Sequence, residues 1–282
     1  MTIFKHEKEL KNYFNKSDRI EGAFGFVPTM GALHEGHLSL IKKSKEVARI
    51  TVCSIFVNPT QFNNPDDFKK YPKRVENDIL LLEENGCDIL FLPEKEEIYP
   101  PGDTEKHYDL GYLETILEGK FRPGHFQGVC QVVDKLLNII NPEFLFLGQK
   151  DFQQCLVIKR LLELTRKKIE VIFCPTLREK SGLAKSSRNL RLNADEIKIA
   201  AELNRTLNAI KNKLTKNNFS ELKKLAILRL EKVGFKVEYL ELAGMSDLKI
   251  ITEFKKGREL IILVAAFLNE VRLIDNVLIK GN

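Results

Sequence analysis

The chain has 282 residues, 43% apolar and 30% charged, which suits one large globular domain or two smaller ones and excludes a disordered, collagenous or coiled-coil chain. Its longest apolar run, Leu260 to Leu268, is strand-sized and far below the roughly 18–20 residues of a membrane helix, so no span and no membrane partner are expected. The formal charge of +6 is modest and the acidic residues are interspersed with the basic ones, so charge alone does not select nucleic acid, nucleotide or any other anion.

In chain order, Met1 to Glu7 lacks a basic segment followed by an apolar stretch and a small-residue cleavage site, so a cytoplasmic protein is expected. Apolar, β-branched runs predict strands at Gly25–Pro28, Ile50–Val57, Asp88–Leu92, Phe144–Leu147 and Glu170–Phe173. Between them, apolar residues at three- and four-residue intervals predict helices at Leu38–Ala48, Val75–Asn85, Val129–Ile140 and Phe152–Leu164. This alternation implies an α/β fold, a Rossmann-like doubly wound parallel sheet over residues 1–175, with Pro93–Gly124 an excursion of little regular structure. After Pro175 the pattern changes. Helices near Ala194–Leu214 and Ser220–Val233 precede strands Val237–Leu242, Leu260–Phe267 and Val271–Ile279, which implies a smaller C-terminal α+β lid domain over 176–282. The five cysteines are scattered among apolar neighbours and read as free, buried thiols.

The first strand runs into Met30-Gly31-Ala32-Leu33-His34-Glu35-Gly36-His37 at the start of a helix. Such a turn is expected to offer free backbone N–H groups and a positive helix end beside two imidazoles, with Gly36 allowing close approach of a phosphate chain. The zinc-protease pattern fails, because the second histidine comes one residue too early for one-turn spacing. A helix-capping loop with solvated histidines remains the plainer alternative. Further along, Gln61 follows the second strand with an amide able to donate and accept, and Gln154 stands four residues beyond Lys150. Lys150 is a compact cation able to offset charge on a transferring phosphoryl group, and Lys185-Ser186-Ser187-Arg188 is a small, basic, hydroxyl-bearing loop.

These segments stand in order with Ile55–Phe62, Tyr71-Pro72-Lys73, Phe121–Val129, Gly148–Gln154 and Pro175–Glu179. The set resembles the pantothenate synthetase (pantoate–β-alanine ligase) family, within the nucleotidyl-transferring superfamily marked by a His-Ile-Gly-His turn. The resemblance implies ATP-dependent condensation of pantoate with β-alanine through a pantoyl adenylate, in a homodimer. It implies that Met30 to His37, Gly148, Gln149, Lys150, Asp151, Leu177, Lys185, Ser186, Ser187 and Arg188 bind ATP. Gln61 and Gln154 then hold pantoate, with Arg122 and His125 as further substrate contacts, although capping or packing roles for these two are equally open. His37, His34 and Lys150 are the expected catalytic residues. Mg²⁺ is expected to be held mainly by phosphates and water, with Asp78 as a protein ligand.

Four departures from the family pattern stand out: Gln149 for glutamate, Lys73 for arginine, Lys185 for methionine, and Lys180-Ser181 for a more acidic pair. Those at 149, 180, 181 and 185 are expected to make the phosphate side more positive. Two other readings compete: a sister nucleotidyltransferase, which does not need Gln61, Gln154 or the Arg122–His125 block, and an RNA-binding module, which the Arg178–Arg191 loop disfavours because it holds no aromatic residue.

Overall fold

Strand runs that are apolar at successive positions must be covered on both faces, and that requirement organises the first part of the chain. The computed structural model describes residues 1–16, 23–215, 218–252 and 257–280. It divides into two compact units, Met1–Gln149 with Val157–Pro175, and Lys150–Leu156 with Thr176–Asn282.

The first unit holds a six-stranded parallel sheet in the order β1-β4-β3-β2-β5-β6. Its strands are β1 (Thr2–Phe4), β2 (Phe24–Thr29), β3 (Ile50–Ile55), β4 (Ile89–Phe91), β5 (Phe144–Gly148) and β6 (Glu170–Cys174). Phe26 and Val27 are neighbours in sequence on opposite faces of the sheet, yet both are fully buried. Among the flanking helices are α1 (Glu7–Lys16), α2 (Glu35–Val47), α3 (Pro65–Lys69) and α4 (Val75–Glu84). They are followed by α5 (Lys95–Ile98), α6 (Leu117–Phe121), α7 (His125–Ile140) and α8 (Phe152–Thr165), the last beginning in the segment grouped with the second unit. Helix α2 lies so close to β2 that a Cβ at Gly25 would collide with Ser44 Oγ and stand 2.9 Å from Phe146. The chain leaves β2 for β3 on one side and returns through β5 on the other, so the strand order reverses between β2 and β5. At such a switch point an open parallel sheet forms a crevice at its carboxyl ends.

In the second unit, β7 (Phe235–Gly244), β8 (Leu260–Leu268) and β9 (Val271–Ile279) form an antiparallel sheet with α9 (Ala194–Ala200), α10 (Glu202–Lys213) and α11 (Phe219–Lys232). Leu240, Ile262, Val264 and Leu273 pack with Leu207, Ile210 and Leu230 in one apolar core. The β8–β9 hairpin turns through Asn269 at φ +50°, a left-handed position that asparagine tolerates.

The parallel sheet with its smaller antiparallel partner is the expected fold class, with local differences. Residues Thr2–Lys16 add β1 and α1, which the pattern did not separate because a three-residue edge strand is too short to show a period. Helix α7 begins at His125, before Val129, after Gly124 at φ +78°. The excursion contains α5, α6 and one 3₁₀ turn, Gly111–Glu114. The helix expected over Ala194–Leu214 is interrupted at Ala201, where the fully buried Ala200 and Ala201 let α9 and α10 pack tightly at the break. All five cysteines are free and buried. Among the described residues no helix is long and apolar enough to cross a membrane.

Candidate active site

The Met30–His37 turn sits at the carboxyl end of β2, at the switch point, but its amides are not free. Gly31 N donates to Thr29 Oγ1 at 3.2 Å, and Ala32 N and Leu33 N donate to the two oxygens of Asp78 at 2.8 and 2.7 Å. His34 N donates to His37 Nδ1 at 3.4 Å, and Gly36 N donates to His34 Nδ1 at 3.1 Å. The expectation of open N–H groups is therefore corrected for these five amides: the left-handed turn, with φ +78° at Gly31 and +49° at Ala32, spends them on side chains that hold the turn.

What the turn presents instead is imidazole. A backbone N–H can only donate, so the Nδ1 atoms of His34 and His37 are both acceptors, and each neutral ring carries its proton on Nε2. This reciprocal capping box opens α2, and the two rings lie 4.1 Å apart at 35°. Both histidines are half-buried, Glu35 is exposed, and the positive end of α2 lies beneath them.

Asp78 is 0% exposed on α4 and accepts from the turn with both carboxylate oxygens. Burial pushes its carboxyl above the ordinary carboxylate range, against the opposing pull of the Leu33 and Ala32 amides. A carboxylate so engaged is an anchor for the turn and does not fit a magnesium ligand. Among the described residues no cluster of three or more His, Cys, Asp or Glu side chains is placed to hold a metal. A cavity of about 380 Å³ beside the turn is lined by Met30, Ala32, Phe56, Phe68, Lys73 and Asp78.

Gln61 closes a 3₁₀ turn after β3, where its Nε2 reaches Met30 Sδ at 3.0 Å and its Oε1 accepts from Asn58 at 3.2 Å. Asn58, 1% exposed, also donates to Gly128 O and accepts from the Tyr99 hydroxyl at 2.9 Å. Asn58 lies in the Ile55–Phe62 segment, where its local sequence carries no sign of its distant partners Gly128 and Tyr99. Arg122 Nη1 lies 3.0 Å from His125 Nε2, and a guanidinium can only donate, so His125 holds its proton on Nδ1 and donates to Gln61 O at 2.8 Å. With Arg122 Nη2 on the same carbonyl at 3.3 Å, the two residues seat the Gln61 backbone. Both ring nitrogens of His125, 5% exposed, are thereby used, which favours the positioning role over direct substrate contact. Helix α7 reaches this turn through Gly128, where a Cβ would stand 2.5 Å from Thr60 O.

Gly148 ends β5, the strand that pairs with β2 at the switch point, and Gln149 opens the turn that follows. In the second unit, Lys150 and Asp151 continue the 3₁₀ turn Gln149–Asp151, Lys150 half-buried and Asp151 exposed, and Gln154 is half-buried on α8. Arg178 and Ala184 pair across a short antiparallel bridge that is followed by the 3₁₀ turn Ser187–Arg191, which Ser186 caps by accepting from Arg188 N at 3.3 Å. Leu177 is 40% exposed, an apolar surface available to a ring. Lys185 Nζ pairs with Glu179 at 2.7 Å, so this lysine adds less positive charge than the sequence implied.

Known proteins share this architecture. A family model described as pantoate–β-alanine ligase matches residues 2–278. The pantothenate synthetase of Cytophaga hutchinsonii is 45% identical over 277 residues, 96% of this chain and 97% of that protein. The pantothenate synthetase structure from Thermus thermophilus superposes with a TM-score of 0.90 at 37% identity, covering 98% of this chain and 99% of that one. The pantoate–β-alanine ligase of Francisella tularensis, complexed with β,γ-ATP and β-alanine, gives 0.83 at 38% identity, covering 99% and 97%. With a family match across nearly the whole sequence and the fold to accompany it, the chain belongs to the pantoate–β-alanine ligase family.

Proposed function

We propose that His34 and His37 bind the ATP phosphates as fixed, neutral Nε2–H donors, and that Lys150, Ser186, Ser187 and Arg188 supply the rest of the phosphate contacts. The reaction of the family is ATP-dependent ligation of pantoate to β-alanine. A pantoate carboxylate oxygen attacks the α-phosphorus of ATP, the bond to the β-phosphate breaks, and pyrophosphate leaves. The β-alanine amine then attacks the acyl carbon of the pantoyl adenylate, AMP departs with the bonding electrons, and the amine gives up its proton. The substrate carboxylate is the nucleophile, so the protein's part in the first step is to bring two anions into line and stabilise the charge that builds.

The observation that supports this reading best is the reciprocal capping box, which leaves both imidazoles with a proton on the nitrogen remote from the helix backbone. Such rings donate hydrogen bonds to phosphate oxygens without transferring a proton. In the same reading Gln61 and Gln154 hold pantoate. Gly148, Gln149 and Asp151 contact the nucleoside, and Leu177 borders the adenine. Residues 1–175 bind nucleotide and pantoate, and residues 176–282 act as a lid. Any Mg²⁺ would be held by the nucleotide phosphates and water, where it would offset phosphate charge. The protein works in the cytoplasm as a homodimer through its first domain, which light scattering on a sizing column tests, a monomer being the contrary result.

The roles of the histidines are tested by pantoate-dependent pyrophosphate release. His37→Ala, folded by circular dichroism, is expected to lose the first step by about 10²-fold or more, as for other removed transition-state donors. Wild-type release from that variant would remove the role.

A further inference from the structure

Besides Arg272, strand β9 carries two polar residues, and both of these are buried, Asp275 at 4% and Asn276 at 1% exposure. Each ties down a different segment of the second unit. Asp275 receives Arg178 in a bidentate pair, Nη1 to Oδ2 at 2.7 Å and Nη2 to Oδ1 at 2.9 Å. The same guanidinium donates to Asn276 O at 3.1 Å and to Gly182 O at 3.1 Å, so it pins the Arg178–Ala184 turn that leads into Lys185–Arg188. The Asn276 side chain holds the other segment: its Nδ2 donates to Lys150 O at 2.9 Å, 126 residues distant in sequence. Asn276 N closes the arrangement on Asp275 Oδ1 at 2.7 Å.

We infer that Asp275 and Asn276 are positioning residues that key Lys150 and the Lys185–Arg188 loop to one strand, and so to each other. The inference rests on the proposed assignment of those two segments to ATP. A buried ion pair is weak evidence for stability, because a well-packed apolar pair serves a core as well. A planar fork shared between a carboxylate and two carbonyls does what an apolar pair cannot, which is to fix the direction of a loop. Sequence reading missed both residues because their partners are 97 and 126 positions away.

The test measures ATP KM, kcat for pyrophosphate release, and the thermal midpoint for Asn276→Ala, Asn276→Asp and Arg178→Lys. Losing the Lys150 O bond in Asn276→Ala is expected to raise ATP KM about tenfold, from the cost of an unmade buried hydrogen bond. Asn276→Asp keeps the size of the side chain but turns an acceptor toward the Lys150 carbonyl, so it is expected to be at least as impaired. A purely structural residue would lower the thermal midpoint or the folded fraction with ATP KM unchanged in the protein that folds. Arg178→Lys keeps the charge but loses the fork, and it reports on the second tie even where the Asn276 variants fold poorly. Lys150→Ala and Ser186→Ala serve as controls for the site. Unchanged ATP KM in both controls would overturn the assignment of those segments to ATP. Raised ATP KM in the controls, with wild-type ATP KM in folded Asn276 and Arg178 variants, would overturn the inference drawn from it.

Discussion

Replacing Asp78 by Asn probes the turn that holds the signature histidines with the smallest change of shape. The carboxylate accepts from Ala32 N at 2.8 Å and Leu33 N at 2.7 Å with no exposure to water. An asparagine amide oxygen can keep one of these bonds, but its amino group then faces the other N–H, donor to donor. One charge-assisted bond is lost, at roughly 1.5–3 kcal/mol, and a buried donor is left without an acceptor, at roughly 1–3 kcal/mol. Relief of the desolvated charge returns part of this, so the net loss is about 2–4 kcal/mol of unfolding free energy. The same bonds hold Ala32 at φ +49°, a conformation costing a non-glycine residue roughly 1–2 kcal/mol. Once they weaken, the turn relaxes and the histidines shift with it, so ATP KM should rise about tenfold or more. Urea denaturation gives the stability and pyrophosphate release gives the KM. A stability loss below about 0.5 kcal/mol together with an unchanged ATP KM would refute the anchoring argument, since surface substitutions fall within that range.

Three further outcomes are expected. Imidazole nitrogen NMR of the folded protein should place the ring proton on Nε2 in His34 and His37 and on Nδ1 in His125; the opposite tautomer at either signature histidine contradicts the capping geometry. Gly128→Ala should raise pantoate KM more than ATP KM, because the new Cβ presses on the turn carrying Gln61, with Thr60 O at 2.5 Å and Gln61 N at 2.8 Å; equal effects on both substrates count against that path. Iodoacetamide at pH 8 should leave the native thiols unlabelled, since burial pushes Cys87 and Cys130 up to about 12 and Cys174 to about 11, and should label all five on unfolding; rapid native labelling of Cys53 or Cys87 would show a more open first unit than described.

The sequence made the sheet legible where its strands are apolar on both faces, as at Phe26–Val27, and it made the turns legible where glycine and histidine punctuate them. It did not reveal how the Met30–His37 amides are spent. Asp78 is 45 and 46 positions from the amides it receives, and nothing local in its surroundings distinguishes an anchor from a metal ligand. His125 shows the same limit: a histidine opening a helix near a substrate motif fits either role until Gln61 O and Arg122 are seen to occupy both nitrogens. The Asp275–Asn276 pair was least legible, because its partners, Arg178 and the Lys150 carbonyl, stand 97 and 126 positions away in sequence. Short elements such as β1 and α5 escaped because three or four residues carry no measurable period.

The central claim is the activation of pantoate by ATP followed by capture with β-alanine. Its most direct measurement is pyrophosphate release from ATP and pantoate by the folded protein, with and without β-alanine, with products identified by mass. The account predicts pantoate-dependent release, with AMP and pantothenate appearing only when β-alanine is added. Folded protein that releases no pyrophosphate in response to pantoate, or forms pantothenate without forming AMP, would contradict it.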